Sequence, residues 1–134
     1  MKVDGHCLCG HLRYEAEIDP DRVEICNCVD CQTLSGSAFR VNAPVIDGAF
    51  NLMAGEMATY VKIAASGNGR ELGFCPKCGT SVYSRPAGGQ PGFFGLRVGS
   101  LSQRRELVPK ARYWRESAQP WVDNIADIPA FYGN

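Results

Sequence analysis

Leu12, Tyr14, Ala16 and Ile18 alternate with Arg13, Glu15 and Glu17. Successive side chains of an extended strand point to opposite faces, so this period of two predicts an antiparallel strand with one buried face. Shorter strand candidates and extended segments follow at residues 38–41, 58–63, 70–74, 80–84 and 93–98. Turns separate them: Asp19-Pro20-Asp21, Ser66-Gly67-Asn68-Gly69, and a Gly- and Pro-rich loop over residues 86–92. Pro44 has no ladder donor, which puts the strand near residue 41 at a sheet edge or at its own end. Val23-Glu24-Ile25 is extended and leads into Cys26. The one helix predicted is a short turn from Asp30 to Ser35, stopped by Gly36. Many short strands with frequent Gly and Pro turns make this an all-β protein.

Composition narrows the class. The 134 residues fit one domain, 1–134, and 45% of them are hydrophobic, enough for a packed core. Fourteen basic and fourteen acidic residues leave no net charge. Phosphate binding needs a clustered basic surface, so neither nucleic acid nor an anionic membrane is an expected partner. The nearest basic cluster, Arg104-Arg105 with Lys110 and Arg112, is broken by Glu106 and reads as a solvated face. Residues 1–6 hold no apolar core of a signal peptide, and no apolar run approaches a membrane span. The expected location is the cytoplasm. Grouped cysteines in that reducing compartment point to metal binding or catalysis before disulfides.

The seven cysteines fall into three groups. In Cys75-Pro76-Lys77-Cys78-Gly79, two thiolates three residues apart can share one tetrahedral ion, and Gly79 permits the turn. A redox Cys-x-x-Cys belongs at a helix start, whereas these flanks read as strands. Cys7 and Cys9 point to one side of an extended chain and can reach one metal together. The two pairs would close a four-sulfur site. Cys26, Cys28 and Cys31 supply only three sulfurs. His6, His11 or a carboxylate could complete a second structural site, or the thiols could simply be buried. The third reading is an open coordination position, as in catalytic zinc. Three thiolates make zinc a weak Lewis acid but suit it to binding a substrate thiol, hence to making or breaking carbon–sulfur bonds.

Three stretches carry a family pattern: Gly5-His6-Cys7-Leu8-Cys9-Gly10 running into Leu12-Arg13-Tyr14-Glu15, Cys26-Asn27-Cys28-Val29-Asp30-Cys31-Gln32 followed by Ser35-Gly36-Ser37-Ala38-Phe39, and Phe74-Cys75-Pro76-Lys77-Cys78-Gly79-Thr80. Val98-Gly99-Ser100-Leu101, Pro109, Tyr113-Trp114, Ser117 and Pro120-Trp121 extend it. In these pieces the sequence resembles the glutathione-dependent formaldehyde-activating enzyme family, which shares its domain with centromere protein V. The resemblance implies an Mss4-like zinc-binding fold. It implies a structural zinc at Cys7, Cys9, Cys75 and Cys78 and a second, catalytic zinc at Cys26, Cys28 and Cys31. It further implies a carbon–sulfur lyase that joins formaldehyde to glutathione as S-hydroxymethylglutathione. Asn27 stands where many members carry His, and Gln32 where Arg is common.

A non-enzymatic, zinc-stabilised protein-binding module is the alternative. Around the middle cluster, Asp30 is a candidate acid, although a surface carboxylate is the more ordinary fate. Arg40 is either a ligand for a substrate carboxylate or a solvated strand arginine. Tyr113, Trp114 and Trp121 could wall a pocket, but core packing is the default for aromatics.

Overall fold

The computed structural model describes residues 1–133. Nine strands and one α-helix follow in chain order: β1 (Lys2–His6), β2 (Arg13–Ile18), β3 (Glu24–Cys26), α1 (Val29–Ser35), β4 (Arg40–Ala54), β5 (Ala58–Ile63), β6 (Gly69–Phe74), β7 (Ser81–Pro86), β8 (Gly95–Arg97) and β9 (Ala111–Tyr113). They pair in the order β1-β2-β4-β8-β7-β6-β5, with β3 on β4 and β9 on β3. Every pairing is antiparallel except that of β3 with β9, which is parallel. Short 3-10 turns fill the chain after β9, ending with Pro120–Asp127. No helix among the described residues is long and apolar enough to cross a membrane.

The alternation of β2 holds residue for residue. Tyr14, Ala16 and Ile18 are buried while Arg13, Glu15 and Glu17 face water. They join Leu12, Val23, Val82, Leu96 and Leu101 in one core. Phe50 of β4 stands at its aromatic centre, with ring centroids 5.5–5.6 Å from Tyr14, Tyr83 and Phe94. Helix α1 starts one residue before the expected turn and stops as expected at Gly36, whose φ is 63°.

Pro44 marks neither an edge nor an end, because β4, fifteen residues long in all, continues through it. One side of β4 pairs with β3 up to Asn42 and with β2 from Val45 onward. The carbonyl of Pro44 accepts from Asp19 N on this side, while Val45 N donates to Phe94 on the other. The missing N–H of Pro44 therefore falls in the gap where β4 changes partners, and no ladder bond is lost.

Candidate metal centres

Two turns of the same design bring the outer cysteines together. Cys7 leaves β1, and its carbonyl accepts from Gly10 N; Cys75 leaves β6, and its carbonyl accepts from Gly79 N. Gly10 and Gly79 have φ values of 80° and 76°, which a side chain would resist. Leu8 N donates to Thr80 Oγ1 at 3.0 Å and ties one turn to the other. The Sγ atoms of Cys7, Cys9, Cys75 and Cys78 all lie within 4.8 Å of one another. Leu12 N donates to Cys7 Sγ at 3.2 Å, and Lys77 N to Cys75 Sγ at 3.4 Å. Hydrogen bonding to the Thr80 hydroxyl pulls the Cys78 thiol down to about 5. Four convergent sulfurs with N–H groups turned toward them fit a tetrahedral thiophilic ion.

The middle cluster is built differently. Cys26 ends β3, Cys28 is the N-cap of α1, and Cys31 lies in its first turn. The Cys28 sulfur accepts from Cys31 N at 3.3 Å, the bond that a serine or aspartate oxygen usually takes at this position. One helix start thus fixes two of the three ligands. All three sulfurs lie within 4.8 Å of one another, and no histidine or carboxylate among the described residues joins them. His6 Nδ1 is engaged with the carbonyl of Cys7, and His11 Nε2 accepts from Glu56 N. Asp30 pairs with Lys62 at 2.7 Å on the surface. Hydrogen bonding from Cys31 draws the Cys26 thiol down to about 5, and the same bond pushes the Cys31 thiol up.

Asn27 and Gln32 turn out to be structural ties. Asn27 is fully buried, and its Nδ2 donates to the carbonyl of Tyr113 at 2.9 Å. Gln32 Nε2 donates to the carbonyls of Asn27 and Ser117, both at 2.8 Å, and its Oε1 accepts from Gln119. Together they lash the end of β9 and the chain that follows it to the cysteine cluster. Tyr113 at the end of β9, and Trp114 and Trp121 beyond it, are about half exposed and not in the core as their type suggested. Trp114 sits in the left-handed region with a φ of 57°, at the entry to the 3-10 turn Arg115–Ser117. Arg40 also departs from expectation: it is buried, not solvated, with Nη1 donating to Ser81 Oγ at 3.3 Å. Arg97, buried beside it, drew no attention in the sequence. Its only sign was a charge between Leu96 and Val98.

A small antiparallel β fold whose turns gather sulfurs into a group of four and a group of three defines a class of cysteine-knuckle proteins able to hold metal. Within that class, the family model for glutathione-dependent formaldehyde-activating enzyme matches residues 2–117, and the chain belongs to this family. Among solved structures, a crystal structure of a Rhodobacter sphaeroides protein, a Northeast Structural Genomics target, is similar. It is 20% identical over 84% of this chain and 99% of that one, with a TM-score of 0.62, a likeness of fold. Among curated proteins, none matches the chain.

Proposed function

We propose that this protein makes or breaks a carbon–sulfur bond between a small thiol of the glutathione type and an aldehyde such as formaldehyde. In this reading zinc occupies both clusters, structurally at Cys7, Cys9, Cys75 and Cys78 and catalytically at Cys26, Cys28 and Cys31. The observation that carries it is the difference between the clusters: four convergent sulfurs in one, three in the other with no fourth side chain among the described residues. Family membership supplies the thiol and aldehyde classes. The cytoplasm, where free thiols persist, is the fitting compartment.

Zinc bound at the three-sulfur cluster would supply a coordination position at which a thiol sheds its proton near neutral pH. The chain's own part is to hold three corners rigid. Cys26 is fixed by strand pairing, and Cys28 and Cys31 by the helix cap. Gln32 spends both amide donors on backbone carbonyls, so it braces the site and offers nothing to a substrate carboxylate. As the carbon–sulfur bond forms, the aldehyde oxygen takes up a proton. Asp30 faces solvent in its pair with Lys62, and we assign that proton to water.

Metal content tests the reading. Wild type should hold two zinc ions per chain, and Cys28→Ala one, with its far-ultraviolet spectrum intact and its thiol–formaldehyde activity gone. A single zinc in reduced, zinc-replete wild type refutes the reaction centre and leaves a zinc-stabilised binding module.

A further inference from the structure

Buried arginines are costly unless a negative charge answers them. Arg40 on β4 is 5% exposed and Arg97 on β8 is 8% exposed, and they are the only buried arginines among the described residues. Directly paired residues of neighbouring strands share a face. Cys26 pairs with Arg40, and Asn42, two residues along β4, pairs with Arg97. Cys26, Arg40, Asn42 and Arg97 therefore lie on one face of the sheet. Arg40 Nη2 and Arg97 Nε are buried without an acceptor.

Neither arginine forms an ion pair with a carboxylate among the described residues. The carboxyl nearest in register, Glu24, is set apart from Arg97 by Asn42, whose Oδ1 accepts from Arg97 Nη1 at 2.5 Å. Burial draws the Arg40 guanidinium below its ordinary value, and the charges that oppose that pull are those of Cys31, Cys28 and Cys26. Burial and the neighbouring Arg40 charge draw the Arg97 guanidinium down to about 9, Arg70, half-buried on Ser84, presses the same way, and Cys31 and Cys26 oppose it. The four-sulfur cluster has no such backing. Its sulfurs meet backbone N–H groups and the Thr80 hydroxyl instead.

Charge counting gives this arrangement a purpose. A divalent ion with three thiolates carries a formal charge of about −1, and entry of a fourth thiolate takes it to about −2. Two guanidiniums bring that total close to zero. A neutral ligand would leave the centre at about −1 and one of the two positive charges in excess.

We propose that Arg40, seconded by Arg97, is the counter-charge that lets the Cys26/Cys28/Cys31 centre accept a fourth, anionic sulfur, and so selects a thiolate over a neutral ligand. This rests on the metal reading given above. Both arginines are positioning residues, acting through the sulfurs and not on the aldehyde.

The test uses the full chain loaded with Co²⁺, whose visible absorption reports each ligand entering the open position. The probes are 2-mercaptoethanol, which binds as an anion, and imidazole, which binds neutral. Wild type should prefer the thiol. Arg40→Met should weaken thiol binding about tenfold or more and leave imidazole binding unchanged, whereas Arg40→Lys, which keeps the charge, should restore the preference. Equal loss of both probes would reduce Arg40 to a packing role and overturn the proposal. So would unchanged thiol binding in Arg40→Met with the metal in place, though the metal reading would survive. Failure of wild type to hold Co²⁺ at the middle cluster would sink both. Should Arg40→Met not fold, Arg97→Met and the wild-type preference decide: a site that takes imidazole as readily as thiol has no such selectivity.

Discussion

Gly55 closes the turn from β4 to β5 with a φ of 84°, and a Cβ there would sit 2.3 Å from the carbonyl oxygen of His11. Backbone cannot step aside as a side chain can. Gly55→Ala should therefore cost about 2 kcal/mol or more in a denaturant titration, from the left-handed strain and the collision together. Residues of this kind were illegible in the sequence, where Gly55 reads as one more turn glycine. Cysteines were the opposite case. Their spacing marked two pairs and a group of three, and the family resemblance, more than the spacing, joined the pairs into one site. Arg40 was visible but ambiguous, because a charge in a short strand says nothing about which face it takes. Only the pairing of β3 with β4 turns it inward behind Cys26.

Between β6 and β7, Glu71 Oε2 accepts from Tyr83 Oη at 2.7 Å and from Arg85 Nε at 2.6 Å. Burial disfavours the ionised carboxyl, but donation from Tyr83 and Arg85 outweighs it and holds Glu71 below its ordinary value of 4.5. A depressed carboxyl stabilises the fold above its unfolded pKa, and that contribution is lost as pH falls through the folded value. Wild type should thus lose an increment of stability on acidification that Glu71→Gln lacks, as followed by thermal melting across the acid range. Gln32→Ala should free the segment after β9, speeding amide exchange around residues 117–119 by an opening cost of about 1–2 kcal/mol. At this scale β2 was legible because strict alternation needs only local sequence, and β5 because its six residues are rich in β-branched and aromatic types. Two strands were not. In β1 the alternation is hidden by Gly5, where the Tyr14 ring occupies the space of a side chain. In β9 the three residues extend only because distant β3 is there to pair with them in parallel.

For the molecule as a whole, the all-β class followed from the density of turns, but the course of the sheet did not. The four-sulfur cluster joins the β1–β2 turn to the β6–β7 turn, although β4 and β8 stand between those pairs in the strand order. The sheet must curl for these turns to meet, and nothing local in the sequence records that curl. The metal clip proposed here would hold the curl closed. Stripping both metals with a strong chelator, or Cys75→Ser, should therefore abolish cooperative unfolding in calorimetry, whereas loss of the middle site alone should leave it.

Synthesis on the ribosome meets the same separation as a delay. Cys9 and Cys75 are 66 residues apart, so at ordinary elongation rates roughly 3–13 s pass between their appearance. Through that interval the first pair of thiols exists without its partners, open to oxidants and to copper or other tightly binding ions. Loading of the correct ion is thus a matter for the finished chain or the last stages of its translation, and cells short of reductant should damage the newly made protein before the mature one.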